Sequence, residues 1–383
     1  MTTDPTGCAV TRLRLHRFRN YGEATVRFGP SLNVIAGPNA QGKTNLLEAV
    51  ATLALTRSPR AATAADLVQW GSERCQIEAS VQRGPIEHEL GSRFERHDGS
   101  ERVVRSTTVD GKPRQARSVL GLCPVVLFWP DDLQLVKAGP EGRRRLLDTL
   151  LSQLDPRAAN HLLRYRRVLE QRNALLHQIR AEGRGRDGLA AFTAELVHHG
   201  ARVTVARARL VESLSPAAAE ALRDLSGGRE RLELRFASSA GAGVEGDDAA
   251  ERTILAALQR RAAEEEARGV TVVGPHRDDI EVLLDGRPAR HTASQGQQRS
   301  IVLACKLAEM RHVAAVSGVT PVVLLDDVLS ELDQQRRAEL MTALASGAHQ
   351  VLVTTTEPLP DTGVFSAVHH FSVRGGSVSE TAE

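Results

Sequence analysis

The 383-residue chain predicts an α/β phosphate-binding domain, a mixed sheet flanked by helices, interrupted by a mainly helical lobe. Three observations predict it. Gly37-Pro38-Asn39-Ala40-Gln41-Gly42-Lys43-Thr44 matches the G-x-x-x-x-G-K-[ST] loop. Downstream, the apolar run Pro321-Val322-Val323-Leu324-Leu325 ends in Asp326-Asp327. Between them, Leu162, Leu169 and Leu176, then Leu189, Leu196, Val203 and Leu210, recur every seven residues, as in a short antiparallel coiled-coil hairpin.

The elements follow in order. Leu13-Arg14-Leu15, Thr25-Val26-Arg27-Phe28 and Ile77-Glu78-Ala79-Ser80-Val81 alternate as strands do. Leu32-Asn33-Val34-Ile35-Ala36 reads as a buried strand and 44–50 as an amphipathic helix, so the loop has its strand–loop–helix context. Its glycines let successive N–H groups and the helix N-terminus face a phosphate. Lys43 is expected to reach the β- and γ-phosphates and Thr44 to supply a hydroxyl to Mg²⁺. Cys123-Pro124-Val125-Val126-Leu127-Phe128 is a core strand, and from about Asp155 the pattern turns helical. Gly200 costs the second hairpin helix about 1 kcal/mol. Leu232, Leu234 and Phe236 mark a half-exposed strand, 238–248 a mobile Gly/Ala-rich loop, and α/β patterning resumes near Val270. The expected division is 1–152 and 269–383 for the two parts of a nucleotide-binding head, with 153–268 as the lobe.

Composition bounds the function classes. A hydrophobic share of 41% and a charged share of 25% are those of a globular protein, and no apolar run approaches the ~18–20 residues that span a bilayer. Met1-Thr2-Thr3-Asp4-Pro5 does not read as a signal peptide. Cys8, Cys75, Cys123 and Cys305 lie far apart without a C-x-x-C pair, which predicts reduced thiols and a cytoplasmic protein. Net charge is +2, and among the basic residues only Lys43, Lys112, Lys137 and Lys306 are lysines. An arginine skew of this kind accompanies GC-rich coding and is weak evidence for a nucleic-acid partner.

Asp326 stands where a Walker B carboxylate holds Mg²⁺ through water, and Asp327 where a base orients the attacking water. About thirty residues upstream, Ser294-Gln295-Gly296-Gln297-Gln298-Arg299 opens a helix, an anion-binding surface in the position of the ABC-type signature. Ser330-Glu331-Leu332-Asp333 follows like the D-loop of that class. Four elements in this order predict an ABC-type ATPase head. Its signature, with Ser294, Gln295, Gly296 and Gln297, faces a partner subunit's nucleotide, so ATP-dependent homodimerisation follows. Asp327 is one methylene shorter than the glutamate common there, and Thr354-Thr355 after Val351-Leu352-Val353 replaces a transporter's switch histidine. Both predict slow hydrolysis used as a timer.

Several segments together resemble the RecF family. They are Leu15-His16-Arg17-Phe18-Arg19-Asn20-Tyr21, the phosphate loop, Phe128-Trp129-Pro130-Asp131-Asp132-Leu133 with Val136-Lys137, and Gly139-Pro140 with Arg143-Arg144-Arg145 and Asp148. Gly274-Pro275-His276-Arg277-Asp278-Asp279 and the signature complete the set. The likeness runs from about Thr11 to Val373 and implies an ATP- and Mg²⁺-dependent, DNA-binding recombination mediator with an SMC-like head. It further implies preference for gaps and single-strand–duplex junctions, weak DNA-stimulated ATPase activity, and RecO and RecR as partners in loading RecA during repair, replication restart and the SOS response. Arg19 then joins the nucleotide-binding set. A cytoplasmic, nucleoid-associated location is implied.

Neutralising DNA phosphates requires a basic surface. The candidates are Arg57 and Arg60 after the first helix, Arg143, Arg144 and Arg145 near the start of another, and Arg164, Arg166, Arg167 and Arg172 on the hairpin. Aromatic residues are only 3% of the chain, so backbone contacts are expected in place of base stacking. His276, flanked by Arg277, Asp278 and Asp279, reads as a structural or nucleotide-sensing residue and not as a general base. His198-His199 lacks metal-ligand spacing. The alternatives are a transporter's ATPase subunit, which calls for a switch histidine, and a phage-defence ATPase, which calls for an appended acidic metal-binding domain. An SMC-type tether calls for far longer coils, and a small-molecule kinase leaves the signature and D-loop unexplained.

Overall fold

The computed structural model describes residues 6–96, 103–183, 185–357, 359 and 363–381. The segment 1–5, which carries the signal-peptide reading, lies outside them. In chain order the first part supplies β1 (Thr6–Phe18), β2 (Tyr21–Arg27), β3 (Leu32–Ala36), α1 (Lys43–Ala54), β4 (Arg74–Arg83), β5 (Ile86–Arg96), β6 (Val103–Val109), β7 (Lys112–Arg114) and β8 (Val125–Phe128). Next come α2 (Pro140–Leu154), α3 (Pro156–Glu182), α4 (Arg186–Leu225), β9 (Leu232–Ala237), α5 (Asp247–Arg260) and α6 (Ala262–Arg268). They are followed by β10 (Asp279–Leu284), β11 (Arg287–Pro288), α7 (Ala289–Thr292) and α8 (Gln295–Ser317). The last part holds β12 (Val319–Thr320), β13 (Val322–Asp326), α9 (Gln334–Gly347), β14 (Gln350–Thr355), β15 (Val368–Arg374) and β16 (Ser377–Thr381). Among the described residues no helix is long and apolar enough to cross a membrane.

The chain forms two compact units, 1–133 with 303–383, and 134–302. In the first, one sheet runs β16-β15-β3-β14-β13-β8, parallel except for the edge strand β16. Its central strands read as unbroken apolar runs because a parallel sheet is covered on both faces; β8, β13 and β14 are buried at every position. The sequence-level alternation of Leu13, Leu15, Ile77 and Ala79 belongs to a second, mainly antiparallel sheet in which β1 pairs with β2 and β4, and β4 with β5. The buried faces of both sheets and α1 share one core, including Leu13, Phe18, Tyr21, Ile35, Leu46, Leu47, Ile77 and Phe94.

In the second unit, α3 and α4 form the expected hairpin, turning through Gly183 and Gly185. Both glycines have positive φ, 68° and 96°, which closes the turn at low steric cost. The hairpin does not stand alone. Tyr165, Val168, Leu196, Val197, Ala201 and Val205 share a core with Ala250, Ile254, Ala257 and Leu258 of α5. Gly200 earns its place in α4, since a Cβ there would lie 3.1 Å from the Tyr165 ring and 3.4 Å from Pro275. Of the 238–248 segment, 247–248 open α5 and the rest is irregular but tethered, not a free loop: Ala240 is buried, and Ser239 N–H donates to Asp278 Oδ1 (2.7 Å).

The unit boundaries fall at 133/134 and 302/303, whereas the change of periodicity places them at 152/153 and 268/269. The reason is long-range pairing. Strand β10 lies between β9 and β11, and Arg143 of α2 forks onto Asp279 (2.7 and 2.9 Å), so both flanking segments fold with the lobe.

Candidate functional site

The phosphate loop leaves the carboxyl end of β3 and enters α1 at Lys43. Gly37 N–H donates to Thr355 C=O (3.3 Å), and Gly42, at φ 116°, sits where a Cβ would meet Asn20 and the Tyr21 hydroxyl below 3 Å. Only glycine fits that position. Asn20 Nδ2 donates to Gln41 C=O (2.8 Å) and Tyr21 Oη to Gly42 C=O (2.9 Å). The Gln41 side chain in turn accepts from Gly375 N–H (2.7 Å). Lys43 is buried, and its Nζ donates to the Gly37 and Pro38 carbonyls (2.6 and 2.9 Å). Burial pushes its pKa down, opposed by Asp327 and Asp326.

Strand β14 separates β3 from β13 and aligns Asp326 with Thr354. Thr44 Oγ1 donates to Asp326 Oδ1 at 2.7 Å, and Thr354 Oγ1 donates to the same oxygen at 2.7 Å. Asp327 N–H donates to Thr354 Oγ1 at 3.0 Å. Thr354, noticed in the sequence only for not being histidine, therefore ties the Asp326 carboxylate to the Asp327 backbone. Burial pushes the Asp326 pKa up, with the two threonine hydroxyls holding it down. Asp327 adopts φ 50°, and its Oδ1 is buried with no hydrogen-bond partner among the described residues. A hydroxyl, a buried carboxylate and an orphaned carboxylate oxygen suit a hard, oxygen-seeking dication such as Mg²⁺. Thr44 and Asp326 are the residues that would hold it, and its charge would offset the burial of Asp326.

Arg19 lies beside this loop, but its guanidinium is spread over Glu48 (Nε 2.9 Å, Nη2 2.7 Å). Arg60, itself exposed, is drawn to the same carboxylate (3.5 Å) and to Asn45 Oδ1 (3.3 Å), against the first turns of α1. Arg57 is exposed. Sequence reading missed Asn20, Tyr21, Asn45 and Glu48 as parts of the site. Their signal was available only in the polar run Arg19-Asn20-Tyr21 and in the polar stripe Thr44, Asn45, Glu48 and Thr52 along one face of α1.

In the second unit Ser294 is exposed and caps α8. Its Oγ accepts from Gln297 N–H (3.3 Å) while Gln297 Oε1 accepts from Ser294 N–H (2.8 Å), a reciprocal capping box. Gln297 Nε2 also donates to Glu230 (3.0 Å). Gln295 is exposed and Gly296 half-buried. Back in the first unit, Ser330 Oγ donates to Asp327 C=O (2.6 Å), Leu332 is buried, and Asp333 caps α9 through Arg336 N–H (2.9 Å). Glu331 is exposed.

The basic candidates separate. Arg143 is buried and donates to Asp279 and to the Leu135 and Ala138 carbonyls. Arg172 is buried on Glu265, Thr193 and Thr271. Both are corrected to structural residues, because their guanidiniums are buried and already paired with carboxylates of the same unit, out of reach of a DNA phosphate. Arg144 is half-buried and donates to Asp278 C=O (2.9 Å); Arg166 pairs with Asp148 (3.0 Å). Arg145, Arg164 and Arg167 are exposed.

The 274–279 segment proves to be a structural hub of this unit. Tyr165 Oη lies 2.7 Å from His276 Nδ1, and His276 Nε2 lies 2.9 Å from Thr271 C=O. A carbonyl only accepts, so Nε2 carries the proton and Nδ1 accepts from tyrosine. Burial pushes the His276 pKa down to about 4. With both nitrogens engaged it is structural and no general base. Arg207, absent from the sequence reading, donates to Asp148 (2.9 and 2.7 Å) and to Pro275 C=O (2.6 Å).

The RecF/RecN/SMC N terminal domain family matches residues 9–359. The DNA replication and repair protein RecF of Symbiobacterium thermophilum is 44% identical over 381 residues, covering 96% of this chain and 97% of its own. Two solved structures of the recombination mediator protein RecF in the RecFOR pathway, RecF-ATPrS and RecF-ATP, superpose with TM-scores of 0.89 and 0.88. Their identities are 31% and 30%, with full coverage of both chains in each case.

Proposed function

The chain belongs to the RecF family of DNA replication and repair proteins, and from that premise we propose that it is an ATP-gated DNA clamp. ATP with Mg²⁺ binds between the 37–44 loop and Asp326. A second copy's Ser294, with Gln295, Gly296 and Gln297, closes over the γ-phosphate, and the D-loop 330–333 flanks the joint. The homodimer holds gapped or single-strand–duplex junction DNA and, with RecR and RecO, favours loading of RecA in repair, replication restart and the SOS response. Lys43 stabilises phosphate charge, Asp327 orients the attacking water, and slow DNA-stimulated hydrolysis releases the clamp. The protein acts in the cytoplasm at the nucleoid.

The observation that carries this reading is the Thr44–Asp326 hydrogen bond at 2.7 Å, which joins the phosphate loop to the Walker B strand. Exposed Ser294 at a helix start supports the in-trans part, since its hydroxyl proton is not used by the cap. Arg145, Arg164 and Arg167 supply the DNA-facing charge. Retention of a gapped duplex at ~0.15 M salt should require ATP and be lost in Lys43→Ala and Asp326→Ala. Equal retention with and without ATP overturns the reading.

A further inference from the structure

We propose that Glu48 is a positioning residue for triphosphate binding, acting through Arg19 on the peptides that cradle phosphate. The proposal rests on the reading of 37–44 as an ATP site. Glu48 lies one helical turn beyond Thr44 in α1, and its side chain is 0% exposed. It collects partners from two other segments: the Arg19 fork (2.9 and 2.7 Å) from the β1–β2 turn, and Ser58 Oγ (2.5 Å) with Arg60 (3.5 Å) from the turn after α1.

The consequences run outward along two paths. Arg19 is held at φ 54°, a left-handed conformation that a side chain with Cβ adopts only under constraint. Its neighbours then meet the loop, Asn20 on Gln41 C=O and Tyr21 on Gly42 C=O. A trans peptide is planar with C=O and N–H opposed. Fixing those two carbonyls outward turns the Gly42 and Lys43 N–H groups inward, where an anion meets them. On the second path, Ser58 Oγ accepts from the N–H groups of Arg60 and Ala61 (3.0 and 2.8 Å). This seats Arg60 against Asn45, which donates to Asn20 Oδ1 (2.8 Å).

Equilibrium binding of mant-ATP with Mg²⁺ to the full chain, read beside the melting temperature, tests this. Glu48→Gln keeps shape and removes charge; about a tenfold loss of affinity is expected for the folded protein, typical of residues in one network. Arg19→Gln, which breaks the first path alone, should cost no more than Glu48→Gln, and the double variant no more than Glu48→Gln by itself, because Arg19 acts through Glu48. Ser58→Ala, which leaves the Arg19 fork intact, should lose about threefold and serves if Glu48→Gln fails to fold. Glu48→Gln with a lowered melting temperature and unchanged affinity overturns the proposal, as does a double variant that multiplies the single losses, or unchanged affinity in Ser58→Ala. Lys43→Ala separates the underlying reading: if that variant binds mant-ATP normally, the ATP site itself is misplaced whatever Glu48 does.

Discussion

Thr44 Oγ1 and Asp326 Oδ1 meet at 2.7 Å although 282 positions of sequence separate them. The contact joins the end of the phosphate loop to the end of β13, so each residue orients the other. Removing either group leaves its partner misaligned for a metal ion. Thr44→Val and Asp326→Asn should each lower Mg²⁺-dependent ATP turnover by about 100-fold or more, in the range of lost preorganised electrostatic groups. A phosphate-release assay at saturating ATP checks this.

Thr354 ties the Asp326 carboxylate to the Asp327 backbone, donating to Asp326 Oδ1 and accepting from Asp327 N–H. Thr354→Val keeps the shape and removes both bonds. Turnover should fall about 10- to 100-fold, the usual effect of losing a group that orients a metal ligand. Stability should change by only about 1–2 kcal/mol, and Thr354→Ser should restore turnover.

Arg143 and the exposed arginines should behave oppositely. Arg143→Ala strands Asp279 in a partly covered site and should destabilise the second unit by about 3–5 kcal/mol, as broken buried pairs do. Arg145→Ala, Arg164→Ala and Arg167→Ala should leave the free energy of unfolding within about 0.5 kcal/mol. Each that contacts a phosphate should also flatten the salt dependence of DNA binding by nearly one unit of slope. Titrations at several salt concentrations separate the two groups.

His276 links stability to pH. Its pKa in the folded chain is about 4 against an ordinary 6.5, so between those values the unfolded state binds the proton and the folded state does not. The neutral ring's contribution is fully present above pH ~6.5 and is lost as pH falls toward ~4. Protonation would remove the acceptor that Tyr165 uses and add a cation near Arg277 and Arg144. His199 is also depressed to about 4, so His276→Gln should shrink the stability slope in that window without abolishing it. Melting curves from pH 7 to 4 measure this.

The head was largely legible because its signals are local. A glycine-rich loop between strand and helix, and an apolar run ending in carboxylates, need no tertiary knowledge. The start of α8 was likewise visible from Ser294 as a cap and the periodicity behind it. What stayed hidden depends on long-range pairing. Thr354 matters because β14 lies in register with β13, and Glu48 because two distant arginines converge on it. Arg143 and Arg172 looked like surface charge until their acidic partners, 136 and 93 positions away, were in place. Tyr165 pairs with His276 across 111 positions, which explains why 274–279 could be recognised as a motif without disclosing its structural task.

The central claim is that the 37–44 loop of one copy is completed by Ser294 of another. Mixing two inactive variants, Lys43→Ala and Ser294→Arg, tests it most directly through ATP turnover. One half of the mixed dimer keeps a working loop and the other a working serine, so one composite site is intact. The account predicts that each variant alone lacks turnover and that the mixture regains it. A mixture as inactive as its components, or a Ser294→Arg protein that hydrolyses ATP normally by itself, would contradict it.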